Sequence, residues 1–381
     1  MPPDTLPSPR VTILLPHREA FGPASAGAVA MVVQRLAAGP SRYQALVVGP
    51  PFAGARFPDI DFRQALPPKW LPLTLTQRYA ARLAFVLAPL PPGLIEVHNK
   101  PDVALWLARL FPRRPVSLFL HNDPRTMRGA RSPAARRRLL GRLARIVTVS
   151  EFLRRCLLDG VAPPPDRPPL VIHNALDMAA LPAGLPTRQR DKVILFAGRI
   201  VPDKAPDAFV AACAQAMPDL PGWRAEMIGA DGFSADAPDS DFIRRLRPQA
   251  AAAAVRLHGY QTHAAVLQAM ARAAIVVVPS RWQEPFGLTA LEAMACGAAV
   301  ACSVRGGLAE VVGDAALAID PDQPASFAQA LRRLAGDVEM RATLSAMGLK
   351  RAREQFSSAD ALAKLDDLRD EELATWRMRP R

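Results

Sequence analysis

The chain has 381 residues, half of them hydrophobic and 22% charged, which suits two globular domains better than one. No apolar run approaches the roughly 18 residues of a membrane-spanning helix, and the first ten residues lack the basic-then-apolar order of a signal peptide. The four cysteines have no CxxC spacing, which is typical of a reduced cytoplasmic protein. The net charge of +13 comes from residues 1–180, because residues 181–381 hold 24 basic and 24 acidic side chains.

Two predicted strands of the first half end in a histidine. Short buried strands are expected at 11–15, 45–48, 94–97, 116–120 and 146–149, and helices at 28–36 and 101–110. His98 follows the third of these strands and His121 follows the fourth. In an open parallel sheet the carboxyl ends of the strands form the edge that binds ligands. Both histidines are therefore candidates for a site at this edge, although a lone histidine is more often structural.

An arginine-rich segment, residues 113–145, holds ten arginines and one acid, Asp123. One interpretation is an ordinary solvated helix face. Another is a basic surface, with residues 136–138 at its centre, that attracts an anionic membrane leaflet or a charged, lipid-linked acceptor. A third is nucleic-acid binding, but Phe119 is the one aromatic residue available there for base stacking, so nucleic acid is not the expected partner.

The second half opens with a strand at 193–197 and a loop that carries two cations. Arg199 and Lys204 lie between this strand and a helix that Pro206 is suited to begin. A guanidinium can bind two oxygens at once, and an ammonium supplies a point charge beside it. The two side chains can thus converge on one diphosphate.

The rest of the chain is organised around residues 275–310. The pattern predicts a buried strand at 275–278, a helix at 287–296 and a second buried strand at 298–302, which form a parallel βαβ unit. Glu284 lies in the loop before this helix, and Glu292 lies inside the helix. The backbone N–H groups at the start of the helix are expected to form an anion site.

The string E-P-F-G-L-T-A-L-E at 284–292, followed by A-x-x-x-G, resembles the donor-sugar motif of retaining glycosyltransferases of family 4, which have the GT-B fold. The resemblance implies that Glu284 contacts the hydroxyls of the donor sugar and that Glu292 holds the ribose of the nucleotide. Further donor-binding residues implied by the motif are Phe286, Gly287, Leu288 and Thr289.

Two other segments of the second half resemble the same family. Arg199 and Lys204 fit the family motif G-R-x-x-x-x-K-G, although Ala205 stands where glycine is usual. Tyr260 belongs to the string H-G-Y, which matches a family loop whose backbone meets the nucleobase.

The resemblance extends to the first half, and so covers nearly the whole chain. The string L-H-N-D-P looks like family members that act on cell-envelope glycans, and it implies that His121 lies beside the donor sugar. Gly27 matches an N-terminal loop that approaches the donor phosphates, although a plain strand-to-helix turn explains this glycine equally well. The string V-I-H-N-A-L-D at 171–177 resembles the hinge-side segment, with Ala175 in place of the usual glycine.

We therefore predict an α/β protein with the GT-B fold, in which two Rossmann-like, doubly wound parallel-sheet domains face a cleft. The acceptor-binding domain is predicted at 1–180 and the donor-binding domain at 181–355. Residues 356–381 are predicted to form a C-terminal helix that packs back on the first domain. The expected activity is a metal-independent hexosyl transfer from a UDP- or GDP-linked sugar to a glycan or glycolipid acceptor of polysaccharide or lipopolysaccharide biosynthesis. The expected location is the cytoplasm, with peripheral attachment to the inner face of the membrane as the alternative.

A rival enzyme class is a nucleotide-sugar epimerase of the same architecture. Such an enzyme needs additional acid and base residues near the sugar, and the pairing of Glu284 with Glu292 favours the transferase. Two D-x-D strings, at 59–61 and 239–241, fall in turn-rich polar stretches and are interpreted as loops, so no metal site or cofactor is predicted.

Overall fold

The computed structural model describes residues 10–23, 26–232 and 239–377. The chain forms two compact units. We call Met1–Ala175 together with Ser358–Arg381 unit 1, and Leu176–Ser357 unit 2. Each unit is built on one parallel β-sheet with helices on both faces.

Unit 1 has a seven-stranded sheet whose order reverses after the first strand. The spatial order is β3-β2-β1-β4-β5-β6-β7, and every pairing is parallel. β4, β5 and β6 are buried along their whole length, which explains why they appear as short, nearly continuous apolar runs. The strand bounds are β1 Arg10–Leu14, β2 Gln44–Gly49, β3 Asp61–Gln64, β4 Leu94–His98, β5 Val116–Leu120, β6 Arg145–Thr148 and β7 Leu170–Val171.

The helices of unit 1 cover the two faces of this sheet. The bounds are α1 Ala28–Ala38, α2 Leu75–Leu87, α3 Pro101–Leu110, α4 Pro133–Arg142 and α5 Glu151–Leu158. The inner sides of α2, α3 and α4 pack with one set of strand residues, including Leu46, Ile95 and Leu118. α1 packs with the alternate set on the other face, including Val11 and Val47. α2 and α3 contact each other, as do α3 and α4, so these three helices form one layer.

Unit 2 has a six-stranded parallel sheet in the order β10-β9-β8-β11-β12-β13. Its order reverses between β8 and β11, and this is where a doubly wound sheet opens a crevice. The bounds are β8 Asp191–Ala197, β9 Arg224–Ile228, β10 Val255–Leu257, β11 Ala273–Val278, β12 Ala299–Cys302 and β13 Ala316–Ala318.

The α-helices in the described part of unit 2 follow the strands or complete the layers: α6 Pro206–Ala216, α7 Asp241–Ala252, α8 His263–Arg272, α9 Leu288–Ala295, α10 Leu308–Val312, α11 Pro324–Gly336 and α12 Val338–Gln355. α11 and α12 are two separate helices. Asp337 separates them, because its side chain accepts a hydrogen bond from the Met340 N–H at 2.8 Å and so caps the start of α12.

The last helix, α13 (Ser358–Arg377), belongs to unit 1. Arg369 is buried on it and donates to both carboxylate oxygens of Glu96 on β4, at 2.8 and 3.0 Å. Glu372 accepts from the Ser117 hydroxyl of β5 at 2.7 Å, and burial raises the pKa of Glu372 to about 8. α13 lies within the segment 356–381 that is predicted to be helical, and residues 378–381 are outside the described residues. In the part of the chain that the structure describes, no helix is both long and apolar enough to span a bilayer.

Candidate active site

The loop between β11 and α9 is held in place by the turn after β12. Glu284 forms an isolated parallel bridge with Gly306, and the Gly307 N–H donates to the Glu284 carbonyl oxygen at 2.6 Å. Gly306 has a φ of +66°, and a Cβ atom there would lie 2.5 Å from that carbonyl oxygen. A side chain at this position is therefore excluded by both strain and contact. The two glycines fix the backbone of Glu284.

The Glu284 side chain is buried and has a cation beside it. The Lys204 Nζ lies 2.5 Å from Glu284 Oε1. The same oxygen accepts a hydrogen bond from Ser280, which is the second residue after β11. Lys204 also lies over the ring of Trp282, with its Nζ 5.6 Å from the ring centroid. The structure thus brings together two predicted site residues that are 80 positions apart in the chain.

Helix α9 begins immediately after a strained residue. Gly287 precedes the helix with a φ of +116°, and a Cβ atom there would lie 2.6 Å from the Leu308 side chain. Phe286 is buried and packs edge-on against Phe356, with ring centroids 5.7 Å apart. Its side chain is therefore part of the core of unit 2, and a donor role for this residue would have to come from its backbone. Leu288 and Thr289, the first two residues of the helix, are half-buried.

Glu292 has a partner that the sequence interpretation did not include. Glu292 is buried in the second turn of α9, and its Oε1 lies 2.9 Å from His263 Nε2. His263 is the first residue of α8, which Thr262 caps by accepting from the Ala265 N–H. Because the carboxylate oxygen of Glu292 accepts, His263 must carry its hydrogen on Nε2 to donate in this contact.

The loop after β8 presents two cations in different environments. Arg199 is exposed, whereas Lys204 is partly buried by its contact with Glu284. Ala205 follows with a φ of +53°, and its N–H donates to the Pro202 carbonyl oxygen at 3.0 Å. A left-handed conformation favours glycine, which explains why glycine is expected at this position. Ala205 takes this conformation while fully buried.

A polar cavity lies beside this loop, at the carboxyl ends of β8, β9 and β10. Its volume is about 120 Å³, and Tyr260 is the predicted site residue that lines it. Arg247 and Asp239, which form an ion pair at 2.6 Å, contribute its charged wall. The remaining lining residues are Ile200, Met227, Gly229, Ala230, Ile243, Leu257 and Gly259.

Three glycines shape the edge of the sheet next to this cavity. Gly198, Gly229 and Gly259 follow β8, β9 and β10, and all have positive φ. The Gly229 N–H donates to the Gly259 carbonyl oxygen at 2.9 Å, and a Cβ atom on Gly229 would lie 1.8 Å from the Gly198 carbonyl oxygen. At Gly229 the backbones approach so closely that no side chain fits. A glycine one or two residues after each of three strands is the sequence signal for this edge.

In unit 1, His121 and His98 lie side by side at the ends of β5 and β4. His98 Nδ1 is 2.8 Å from His121 Nε2, and the rings stack with centroids 5.0 Å apart. The backbone N–H of His121 also donates to the Asn99 side-chain oxygen at 2.8 Å. Burial lowers the pKa of His121 to about 4, and burial together with His121 and Arg369 lowers the pKa of His98 well below its usual value. Both imidazoles are therefore neutral near pH 7, and a single N–H, on one ring or the other, forms the hydrogen bond between them.

Gly27 lies just before α1, where the predicted phosphate contact would form. The Glu19 carboxylate is at this helix N-terminus, because its Oε1 accepts from the Ala30 N–H at 3.0 Å. A Cβ atom on Gly27 would lie 2.5 Å from the same oxygen. Gly27 thus makes room for Glu19, and its donor role stays a prediction. Residues 24 and 25 of this loop lie outside the described residues.

The arginine-rich segment is less exposed than its sequence suggests. Arg136 is buried, so it belongs neither to a solvated helix face nor to an exposed basic surface at residues 136–138. Its guanidinium donates to carbonyl oxygens, including those of Ala130 at 3.0 Å and Leu157 at 2.9 Å, and so caps the end of α5. Arg145 is also buried and pairs with Glu371. The exposed arginines of α4 are Arg137, Arg138 and Arg142. In the described ranges, no group of three or more His, Cys, Asp or Glu side chains is arranged to hold a metal ion.

These features define a GT-B fold with a charged, glycine-edged crevice in unit 2. The fold is shared with the crystal structure of Anabaena HepE in complex with UDP and glucose, at a TM-score of 0.74 and 19% identity, over 94% of this chain and 98% of that one. Residues 177–351, which are nearly all of unit 2, match the family model described as glycosyl transferases group 1. This segment includes Arg199, Lys204, Glu284 and Glu292.

Two curated proteins are similar in sequence to part of this chain. An exopolysaccharide phosphotransferase of Streptomyces coelicolor is 29% identical over 258 residues, which is 63% of this chain and 25% of the relative. A D-inositol 3-phosphate glycosyltransferase of Salinispora arenicola is 34% identical over 200 residues, which is 51% of this chain and 44% of the relative. The chain thus spans between a quarter and a half of the length of these two relatives.

Proposed function

We propose that this chain is a retaining glycosyltransferase of family 4 that moves a hexosyl group from a UDP- or GDP-linked donor to a cell-envelope glycan or glycolipid. The GT-B fold and the group 1 segment support the transfer of a sugar. The UDP and glucose held by the Anabaena neighbour support a nucleoside diphosphate sugar as donor.

The observation that carries this proposal is the buried pairing of Lys204 with Glu284. A carboxylate has about four lone pairs, and those of Glu284 that Lys204 and Ser280 do not use can accept hydrogen bonds from sugar hydroxyls. When the donor binds, the Lys204 ammonium and the Arg199 guanidinium can both contact the diphosphate. Negative charge grows on the leaving diphosphate during transfer, so cations placed there stabilise the transition state more than the bound donor.

The cavity lined by Tyr260 suits the nucleobase, and Glu292 suits the ribose. The cavity is next to the strand-end glycines, which let a flat ring approach the backbone closely. Glu292 Oε1 contacts His263 Nε2, and a carboxylate has further lone pairs that can accept from ribose hydroxyls. We assign no protein nucleophile, and His121 is kept as a neutral hydrogen-bonding group for the donor sugar on the strength of the family resemblance.

We further propose that catalysis is independent of a metal ion, since Arg199 and Lys204 supply the positive charge, and that the enzyme works in the cytoplasm. The direct test is to incubate the enzyme with a UDP- or GDP-sugar and a lipid-linked glycan acceptor, with and without EDTA. NMR of the product should show an anomeric configuration identical to that of the donor. A product of inverted configuration would overturn the retaining mechanism, and activity restored only by Mn²⁺ or Mg²⁺ would overturn metal independence.

Two variants separate the roles of the carboxylates. Glu292→Ala should weaken binding of both the donor and the free nucleoside diphosphate, because the ribose is common to both. Glu284→Ala should reduce turnover while leaving affinity for the free diphosphate nearly unchanged. Isothermal titration with UDP and GDP measures these affinities, and exposed Glu354→Ala on α12 is the matched control. Equal losses of diphosphate affinity in the two site variants would contradict the assignment.

A further inference from the structure

Unit 1 exposes a cluster of large apolar side chains on and beside α2. Trp70 is 81% exposed, Phe85 is 70% exposed and Leu66 is 61% exposed. Leu73 and Leu75 are also exposed, so five residues within a stretch of twenty leave their apolar surface in water. Scattered single residues of this kind are ordinary, but a contiguous group marks an interaction surface.

The cluster is organised on one side of a helix. In α2, Leu75, Arg78, Arg82 and Phe85 recur at intervals of three and four residues, and so share the side that faces away from the core. The Arg82 guanidinium lies over the Phe85 ring, 4.9 Å from its centroid. Arg78 Nη1 donates to the Lys69 carbonyl oxygen at 3.1 Å, which places the segment around Trp70 against this same side of the helix. We call residues 66–75, with Arg78, Arg82 and Phe85, the α2 face.

The α2 face is uniformly basic. Residues 62–95 contain Arg63, Lys69, Arg78 and Arg82, and no aspartate or glutamate. The neighbouring helix α3, which packs on α2, continues the pattern by exposing Trp106 and Leu110 beside Arg109. Exposed arginines of α4 follow in the same helix layer. Across residues 62–95, tryptophan and phenylalanine stand among lysine and arginine with no acid, which is the composition of a surface that lies on an anionic bilayer.

We propose that the α2 face is a membrane-docking surface, which inserts Trp70 and Phe85 into the interfacial region of an anionic leaflet while Lys69, Arg78 and Arg82 contact lipid phosphates. This surface differs from the arginine-rich segment that the sequence suggested, because it combines charge with exposed apolar area. Both are needed, since charge alone is screened within about 8–10 Å at physiological salt and a few apolar residues alone bind weakly.

A second copy of the chain is a poorer occupant of this face. A two-fold interface places the same patch of each protomer against itself. The basic side chains of one α2 face would then meet those of the other, with no acid between residues 62 and 95 to compensate. An anionic lipid surface, by contrast, complements the charge and accepts the apolar side chains at the same time.

Co-sedimentation of the full chain with lipid vesicles tests the proposal. Wild-type protein should bind vesicles of equal parts phosphatidylglycerol and phosphatidylcholine at low salt, and should not bind phosphatidylcholine alone. Trp70→Ser with Phe85→Ser should reduce the apparent affinity by about tenfold or more, because two large apolar side chains no longer leave water. Lys69→Gln with Arg82→Gln should reduce it and flatten its salt dependence.

Two controls keep the result specific. Met347→Ser removes an apolar side chain of unit 2 that is 39% exposed, and should leave vesicle binding unchanged. The thermal stabilisation of the Trp70→Ser, Phe85→Ser protein by UDP should match that of the wild type, which shows that the variant is folded. Since vesicle binding is read without any transfer reaction, its failure is distinct from failure of the proposed function.

Three outcomes would overturn the proposal. In the first, wild-type protein stays in the supernatant with phosphatidylglycerol vesicles at low salt. In the second, the Trp70→Ser, Phe85→Ser variant binds as tightly as the wild type. In the third, light scattering shows a dimer of the free protein that this variant dissociates, which would assign the α2 face to a second copy of the chain.

Discussion

Replacing Lys204 with methionine should destabilise unit 2 as well as weaken donor binding. The change keeps most of the side-chain volume and removes the charge beside Glu284, whose side chain is only 6% exposed. Breaking a fully buried ion pair by removing one partner costs about 3–5 kcal/mol. Lys204 is 24% exposed, so water can replace part of its contact, and Ser280 still donates to the carboxylate. We therefore expect a loss of about 2–3 kcal/mol in the free energy of unfolding.

The double variant Lys204→Met, Glu284→Gln separates the structural role of the pair from its role in binding. A neutral amide needs no counter-charge, and its carbonyl oxygen can still accept from Ser280. Most of the lost stability should return. Affinity for UDP should not return, because the positive charge near the diphosphate is still missing, and a lost charge-assisted contact weakens binding about ten- to a hundredfold.

Urea unfolding measures the stabilities, and isothermal titration with UDP measures the affinities. For a unit of this size, a loss of 2–3 kcal/mol corresponds to a fall of about 4–12 °C in Tm. The control pair is Arg188–Glu339, which is exposed on both sides and should contribute at most about 1 kcal/mol. The reasoning is refuted if Lys204→Met is as stable as the wild type, or if Glu284→Gln restores UDP affinity in the double variant.

Three more predictions concern backbone strain and buried titratable groups. Gly229→Ala should destabilise unit 2 by more than about 3 kcal/mol and abolish UDP binding, whereas Gly222→Ala, with positive φ but open space, should lose only about 1–2 kcal/mol by the same unfolding assay. Because the pKa of His121 falls from 6.5 to about 4 on folding, the unfolded chain binds the proton first, so up to about 3 kcal/mol of stability should be lost as pH falls from 6.5 toward 4. His121→Gln should flatten that loss in urea titrations at several pH values. The pKa of Glu372 rises from 4.5 to about 8 on folding, so its contribution to stability is present below pH 4.5 and is lost progressively as pH rises from 4.5 through 8, and the stability of Glu372→Gln relative to the wild type should be higher at pH 9 than at pH 5.

The elements of unit 2 could be predicted from the sequence because their signals are local. The strand expected at 275–278 is the end of β11, the helix expected at 287–296 is α9 with one residue more at each end, and the strand expected at 298–302 is β12 with one residue added. A continuous β-branched run predicts a buried strand, and a glycine predicts the end of a helix, from the identity of a few neighbouring residues alone. The same holds for Pro206, which begins α6 as expected.

The partners of the site residues could not be predicted, because they come from other segments. Glu292 meets His263, which is 29 positions away, and nothing in the local pattern connects the two. His98 was noted at its strand end, but its contact with His121 depends on β4 and β5 being neighbours in the sheet. Ser280 had a weaker signal, as a hydroxyl directly after a buried strand. Such contacts decide the ionisation and orientation of a group, which a motif alone does not specify.

For the charge of unit 1, too, the sequence predicts the number of basic side chains but not which of them are exposed. Counting residues correctly assigns the excess of +13 to the first half of the chain. Two of its arginines are buried, however: Arg136 donates to carbonyl oxygens at the end of a helix, and Arg145 donates to Glu371. A buried arginine still adds to the long-range field, yet it cannot touch a phosphate. A contact surface is marked better by large apolar side chains that stay in water after folding. Trp70 and Phe85 are of this kind, because burying them within unit 1 would have been favourable. Their exposure amid basic side chains therefore locates the contact better than the density of arginine does.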